Sequence, residues 1–150
     1  MRNHLVIAVT IALTSSLASA GSNTPPTTAD IVKEKLVQPL VAKERKQSKF
    51  SRARLPPQER RIRVVDAQPQ LDSTGAAFFA FAIDAKHGWA EDDSAESWQR
   101  AAITGCVYPA SGEVFIKRGK AFHPAEAALG KKTKASAETT CHAAAQLSAR

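Results

Sequence analysis

The sequence predicts an α+β protein: a small four-stranded antiparallel meander with C-terminal helices and one disulfide, preceded by a kinked or broken N-terminal helix and a basic linker. Three observations carry this. Apolar residues recur at helical spacing between Ala29 and Lys49, the period shortens toward two after Pro56 and Pro57, and it lengthens again after Pro124. At 150 residues, 43% apolar and 23% charged, the chain has the composition of one ordinary globular domain.

The first element is a targeting segment. Arg2 precedes the apolar run Leu5 to Leu13, and Ala18-Ser19-Ala20 supplies the small residues of a cleavage site. Residues 1–20 therefore read as a signal peptide cut after Ala20. A transmembrane anchor requires about twenty apolar residues, and Thr14, Ser15 and Ser16 end this run well short of that. The expected destination is periplasmic or extracellular.

Residues 21–57 read as a flexible leader, a helical segment and a basic linker. Gly21 to Thr28 offers nothing apolar to bury, and Thr28 is placed to cap a helix. Ile31, Val32, Leu36, Val37, Leu40 and Val41 then suit one helical face, interrupted by Pro39. An interior proline costs about 3 kcal/mol, so a kink or two short helices is expected. Because the strands and both cysteines lie after it, this segment is expected to be dispensable for the fold; the alternative, with Ile31, Leu36 and Leu40 packed into the core, stays open.

The domain itself is expected over residues 58–150. Ile62 and Val64 alternate with Arg61 and Arg63 as in a half-buried strand. Phe79, Phe81 and Ile83 share one face of a second strand with Phe78, Ala80 and Ala82 on the other. A polar loop from Lys86 to Glu96 leads to a third strand, Trp98 to Tyr108. The turn Pro109-Ala110-Ser111-Gly112 joins it to a fourth, Glu113 to Arg118. Pro124 suits the start of a short helix, with His123 closing that start and Gly130 ending it, and Ser136 is placed to cap an Ala-rich helix through Leu147.

Cys106 and Cys141 allow one intramolecular pairing, which an oxidising compartment favours. Closing a 35-residue loop removes roughly 4 kcal/mol of chain entropy from the unfolded state.

The charge points to function. The chain carries 21 Lys and Arg against 14 Asp and Glu, a net +7, which favours anionic partners. Between Lys43 and Arg63 lie nine basic residues and two acidic ones. Lys43, Arg45, Lys46, Lys49, Arg52, Arg54, Arg60, Arg61 and Arg63 thus form a candidate electrostatic arm for an anionic envelope polymer, lipid headgroups or an acidic protein. Nucleic acid fits poorly, since only Phe50 is there to stack on a base. Trp89 and Trp98 flank the acidic loop and are candidate partner contacts.

Catalysis and metal binding find little support. His87, His123 and His142 lack paired short spacings with the cysteines, so no zinc site is expected, and the cluster Glu91-Asp92-Asp93 with Glu96 lacks the glycine and ligand alternation of a calcium loop. No cofactor motif, nucleophile elbow or phosphate loop is present. The leading reading is an exported, non-enzymatic binding or structural module. Two alternatives are a small secreted hydrolase using His123, His142 or the acidic loop, and a periplasmic inhibitor or immunity-type protein acting through the Trp loop.

Overall fold

A computed structural model describes residues 24–50, 59–86 and 98–147, with side chains described through Gln47 in the first segment. The proposed signal peptide, Arg52, Arg54, His87, Trp89 and the cluster 91–96 lie outside the described residues. In chain order the elements are α1 (Thr28–Val32), a π turn (Lys33–Val37), α2 (Gln38–Phe50), β1 (Glu59–Val64), β2 (Gln70–Leu71), β3 (Ala77–Lys86), β4 (Trp98–Tyr108), β5 (Glu113–Arg118), β6 (Ala121–Pro124), a 3-10 helix (Ala125–Leu129) and α3 (Ala144–Leu147). The protein is α+β, and its antiparallel sheet runs β1-β3-β4-β5-β6 with β2 extending the β1 side along β3. Two short strands, β2 and β6, enlarge the expected four.

The helix starts at Thr28, so its cap falls one residue before the expected one. Thr27 forms a capping box: its Oγ1 accepts from Asp30 N–H at 3.2 Å, and Asp30 Oδ2 accepts from Thr27 N–H at 3.0 Å. Pro39 does not break the helix as expected. The helical rise continues through it by way of the π turn, where Gln38 N–H bonds the carbonyl of Lys33, five residues back. The wider turn also suits the five-residue step from Ile31 to Leu36, which a regular α-helix would rotate off the apolar face.

Of the two arrangements open for this helix, the packed one is found. Ile31, Val32, Leu36 and Leu40 share one core with Phe81, Ile83, Val107, Val114 and Ile116 of the sheet and Ala125 and Ala127 of the 3-10 helix. The stretch from Ile31 to Leu40 is thus one wall of the core rather than an appendage. Lys43 Nζ donates to the carbonyl of Leu129 at 2.6 Å, and Arg118 Nη2 donates to that of Ala127, closing this layer with charged groups on helix carbonyls.

Strand alternation sends a second set of side chains to the opposite face: Phe78, Cys106 and Tyr108, with Phe115 and Phe122 beside them. The C-terminal chain covers this half of the face. Cys106 and Cys141 are disulfide-bonded with Cα atoms 5.9 Å apart, Ser136 N–H bonds Phe122 O at 2.8 Å, and Ala143 bridges to Asp72. The expected Ala-rich helix from Ser136 is absent, and only Ala144–Leu147 is α-helical. Its physical reason is at Cys141, which adopts a left-handed φ of 62° to reach both Cys106 and the edge of the sheet. Tertiary ties override the helix propensity of alanine here.

Pro124 caps the 3-10 helix rather than opening an α-helix, and His123, expected at the helix start, is a strand residue of β6 opposite Ile116. The hairpin between β4 and β5 turns where expected, with Gly112 at φ +70° and its N–H on Tyr108 O at 2.8 Å. Gly105 permits a close approach: a Cβ there would meet the carbonyl of Phe115 and stand 2.7 Å from Cζ of Phe81.

Candidate functional site

The site is built from β1 outward. Alternation along Glu59–Val64 turns Arg60 and Ile62 toward the helix and Arg61 and Arg63 to the opposite face, in register with Asp84 and Ala82 of β3. Arg60 is 7% exposed and bonds both carboxylate oxygens of Glu44 in α2. With Lys43 on Leu129, two of the proposed arm residues therefore hold the helix to the rest of the fold.

Arg61 and Arg63 meet a group that the sequence pattern did not single out. Asp84 sits within the apolar alternation of β3 and is fully buried. Its register with β4 breaks between Ile83 and Ala85: one residue of β3 faces Arg100, Ala101 and Ala102 of β4. Ala101 takes a left-handed φ of 51°, and its N–H donates to Asp84 Oδ1 at 2.8 Å. Arg63 donates from Nε at 2.8 Å and Nη2 at 3.0 Å to the two carboxylate oxygens, a bidentate pair. Arg61 lies further off, with Nη2 3.7 Å from Oδ2. The Arg63 hydrogen bond holds the Asp84 carboxyl down at about 2 against the opposing effect of burial, helped by the Ala101 N–H and by the charges of Arg63 and Arg61. The same hydrogen bond raises Arg63 above its ordinary value.

Trp98 completes the cluster. The Arg61 guanidinium carbon lies 4.4 Å from the centroid of its ring, and Lys86 Nζ lies 5.9 Å away. Two groups of candidates drawn from distant stretches of sequence, the basic segment and a tryptophan at the edge of the acidic loop, thus meet on one face. The side chains of Arg61 and Arg63 remain 43% and 46% exposed, so the face presents their charge to solvent. Three cations gather there, with one buried anion beneath the two arginines and the exposed Glu59 opposite Lys86 in the β1–β3 register.

The remaining candidates are dispersed. Arg45 and Lys46 lie on α2 away from this face, and the side chain of Lys49 and the whole of Arg52 and Arg54 lie outside the described residues. His123 Nδ1 is 3.3 Å from Thr133 Oγ1, and His142 packs edge-on against Phe122 with Nδ1 2.9 Å from Thr140 O. Among the described residues no three His, Cys, Asp or Glu side chains converge as a metal site, and no helix is long and apolar enough to cross a membrane.

A second polar cluster is structural. Tyr108 Oη donates to Asp72 Oδ2 and accepts from Cys141 N–H, each at 2.9 Å, while Asp72 Oδ1 also caps the turn through Thr74 and Ala76 N–H. Burial pushes the Tyr108 phenol up, and the Thr74 hydroxyl leads the interactions that pull Asp72 down. This network fastens the C-terminal chain to β4. Compared with known proteins, the chain matches no family model, no curated protein and no solved structure.

Proposed function

We propose that this protein is an exported, non-enzymatic binding module that holds an anionic partner on the face formed by Arg61, Arg63, Lys86 and Trp98. The observation that carries the reading is the pairing of Arg61 and Arg63 with a single buried carboxylate while Arg61 lies against Trp98. Asp84 fixes the guanidinium of Arg63 without neutralising the face, and a preorganised cation loses less conformational entropy on binding than a lysine on a free arm. The net charge, +7 for the full chain and +6 once Arg2 leaves with residues 1–20, adds long-range attraction to the same kind of partner. The proposal puts recognition on the sheet rather than on an extended arm, because the Arg60 side chain is only 7% exposed and Lys43 is held on the carbonyl of Leu129, whereas Arg61 and Arg63 keep 43% and 46% of their side chains open to solvent. Export rests on residues 1–20 and is part of the proposal.

The test compares binding to anionic vesicles, a uronate polymer and an acidic peptide across ionic strength. Arg61→Gln and Lys86→Gln should each weaken binding by about 1 kcal/mol, roughly fivefold in Kd, with a shallower salt dependence. Lys46→Gln on α2 should leave it within about twofold. The reverse ranking would return recognition to the helix and the linker after it. Intact mass of protein recovered from the exported fraction should begin at Gly21, and protein found only as an unprocessed Met1 species in the cytosol would remove the export claim.

A further inference from the structure

We infer that the outer edge of β1 receives an extended acidic polypeptide segment as an additional strand of the sheet. This deepens the proposed reading of an anionic partner and rests on it. β1 ends the strand order, and among the described residues no strand pairs with its outer side. The direction of its backbone groups follows from one bond. Val65 N–H donates to Ala80 O at 2.9 Å, and continuing the β1–β3 register by one residue sets Val65 opposite Ala80. In an antiparallel ladder such hydrogen-bonded pairs recur every second residue, so Arg61 and Arg63 bond inward to β3 while Ile62 and Val64 turn their N–H and C=O outward.

The edge is also where the apolar surface lies. The three large apolar side chains that stand exposed among the described residues are Val64 at 40%, Val65 at 56% and Leu71 at 55%, all on β1 or just beyond it in β2 and the chain between them. An open strand end with this much exposed apolar surface is what a pairing strand covers.

Charge selects the occupant. A second copy of β1 laid antiparallel about Ile62 would set Arg61 directly opposite Arg63 of that copy, twice over, and like charges in that position are destabilising. An acidic strand inverts the sign. Since Arg61 and Arg63 bond inward, an added strand would meet them as non-hydrogen-bonded pairs, the closer of the two spacings for side chains. Two carboxylates two residues apart would then face Arg61 and Arg63 on the side of the sheet that carries Trp98. The residue between them would lie on the helix side beside Ile62 and calls for an apolar group. The recognised pattern is acidic, apolar, acidic, apolar.

The experiment uses the full chain, isotope-labelled, titrated with a blocked peptide alternating glutamate and valine between threonines. A peptide of the same composition with its glutamates clustered and one with lysine in place of glutamate serve as comparisons. The alternating acidic peptide should bind, and it should slow amide exchange at Ile62 and Val64 by about tenfold or more, as expected for donors newly bonded. Val64→Pro removes an outward donor and keeps the inward ladder, so it should weaken that peptide about tenfold with the unfolding midpoint nearly unchanged. Equal binding to wild type and Val64→Pro, still lost in Arg61→Gln, would overturn strand addition and leave the anion-binding reading intact. Binding of anionic vesicles or a uronate polymer but of neither acidic peptide would overturn the polypeptide partner and assign the face to a polymer or lipid. Binding of none of these at low salt would overturn both. A concentration-dependent dimer abolished by Val64→Pro would give the edge to a second copy.

Discussion

Replacing Leu36 with alanine should destabilise the protein by about 3 kcal/mol, even though Leu36 lies in the segment that the sequence presents as separable. The magnitude comes from its place. Leu36 has no exposed surface and packs in the same cluster as Phe81, Val107 and Ile116. Leu→Ala at such sites costs about 2–5 kcal/mol, made up of lost transfer energy and a cavity that the surroundings only partly fill. Relaxation is restricted here, because the helix is held on both sides of the site by the core contacts of Val32 and Leu40 and further along by Lys43 on Leu129. In urea, followed by circular dichroism, a loss of about 3 kcal/mol with a slope near 1.5 kcal/mol/M lowers the midpoint by about 2 M. Lys35→Ala, on the exposed side of the same turn, should shift it by no more than about 0.3 M. A Leu36→Ala midpoint as close to wild type as that of Lys35→Ala would refute the packed helix and restore an independent domain over 58–150.

Removing the disulfide by Cys106→Ala or Cys141→Ala should cost about 2–5 kcal/mol, and the same loss should appear in the wild type under reductant; a reduced protein as stable as the oxidised one would contradict this. Tyr108→Phe should cost about 2 kcal/mol and raise the exchange rate of the Cys141 amide, since Asp72 loses a donor and Cys141 N–H its acceptor; unchanged exchange at Cys141 would count against the tie. Acid should act through Asp84. Its carboxyl lies at about 2 in the folded protein against an ordinary 3.8, so its contribution is complete above about pH 5 and disappears as pH falls through the folded value. Asp84→Asn should be less stable at neutral pH and should lack that part of the decline between about pH 4 and 2 in unfolding scans, and an identical acid limb in both proteins would refute the assignment.

Much of the sheet is legible in the sequence because short-range alternation survives into the structure. Ile62, Phe79, Phe81 and Ile83 sit on the helix side of the sheet, and the turn at Pro109 to Gly112 needs only local chemistry. The cysteine pairing is likewise arithmetic. What escaped depends on contacts between distant residues. Asp84 reads as one charge in an apolar run, and only the register of β3 with β1 and the break in β4 reveal that two arginines and a backbone N–H surround it. Helix propensity at Ser136 to Leu147 is outweighed by the ties at Cys141 and Ala143, which no local window contains. An arm inferred from charges counted by sequence position ignores strand alternation, which splits Arg60 from Arg61 and Arg63 and sends them to opposite sides.

The contact between Lys43 and Leu129 joins residues 86 positions apart, and the apolar stripe of the helix finds its partners over the same span. Closing a loop of that length comes before the contacts that reward it, so the helix cannot be an early stable unit of folding. A helix of this length standing alone in water is only marginally populated. During synthesis the stripe at Ile31, Val32, Leu36 and Leu40 therefore waits, unburied, until the chain has been made through the 3-10 helix. For that whole interval the ridge is adhesive surface, as able to meet a neighbouring chain as its own sheet.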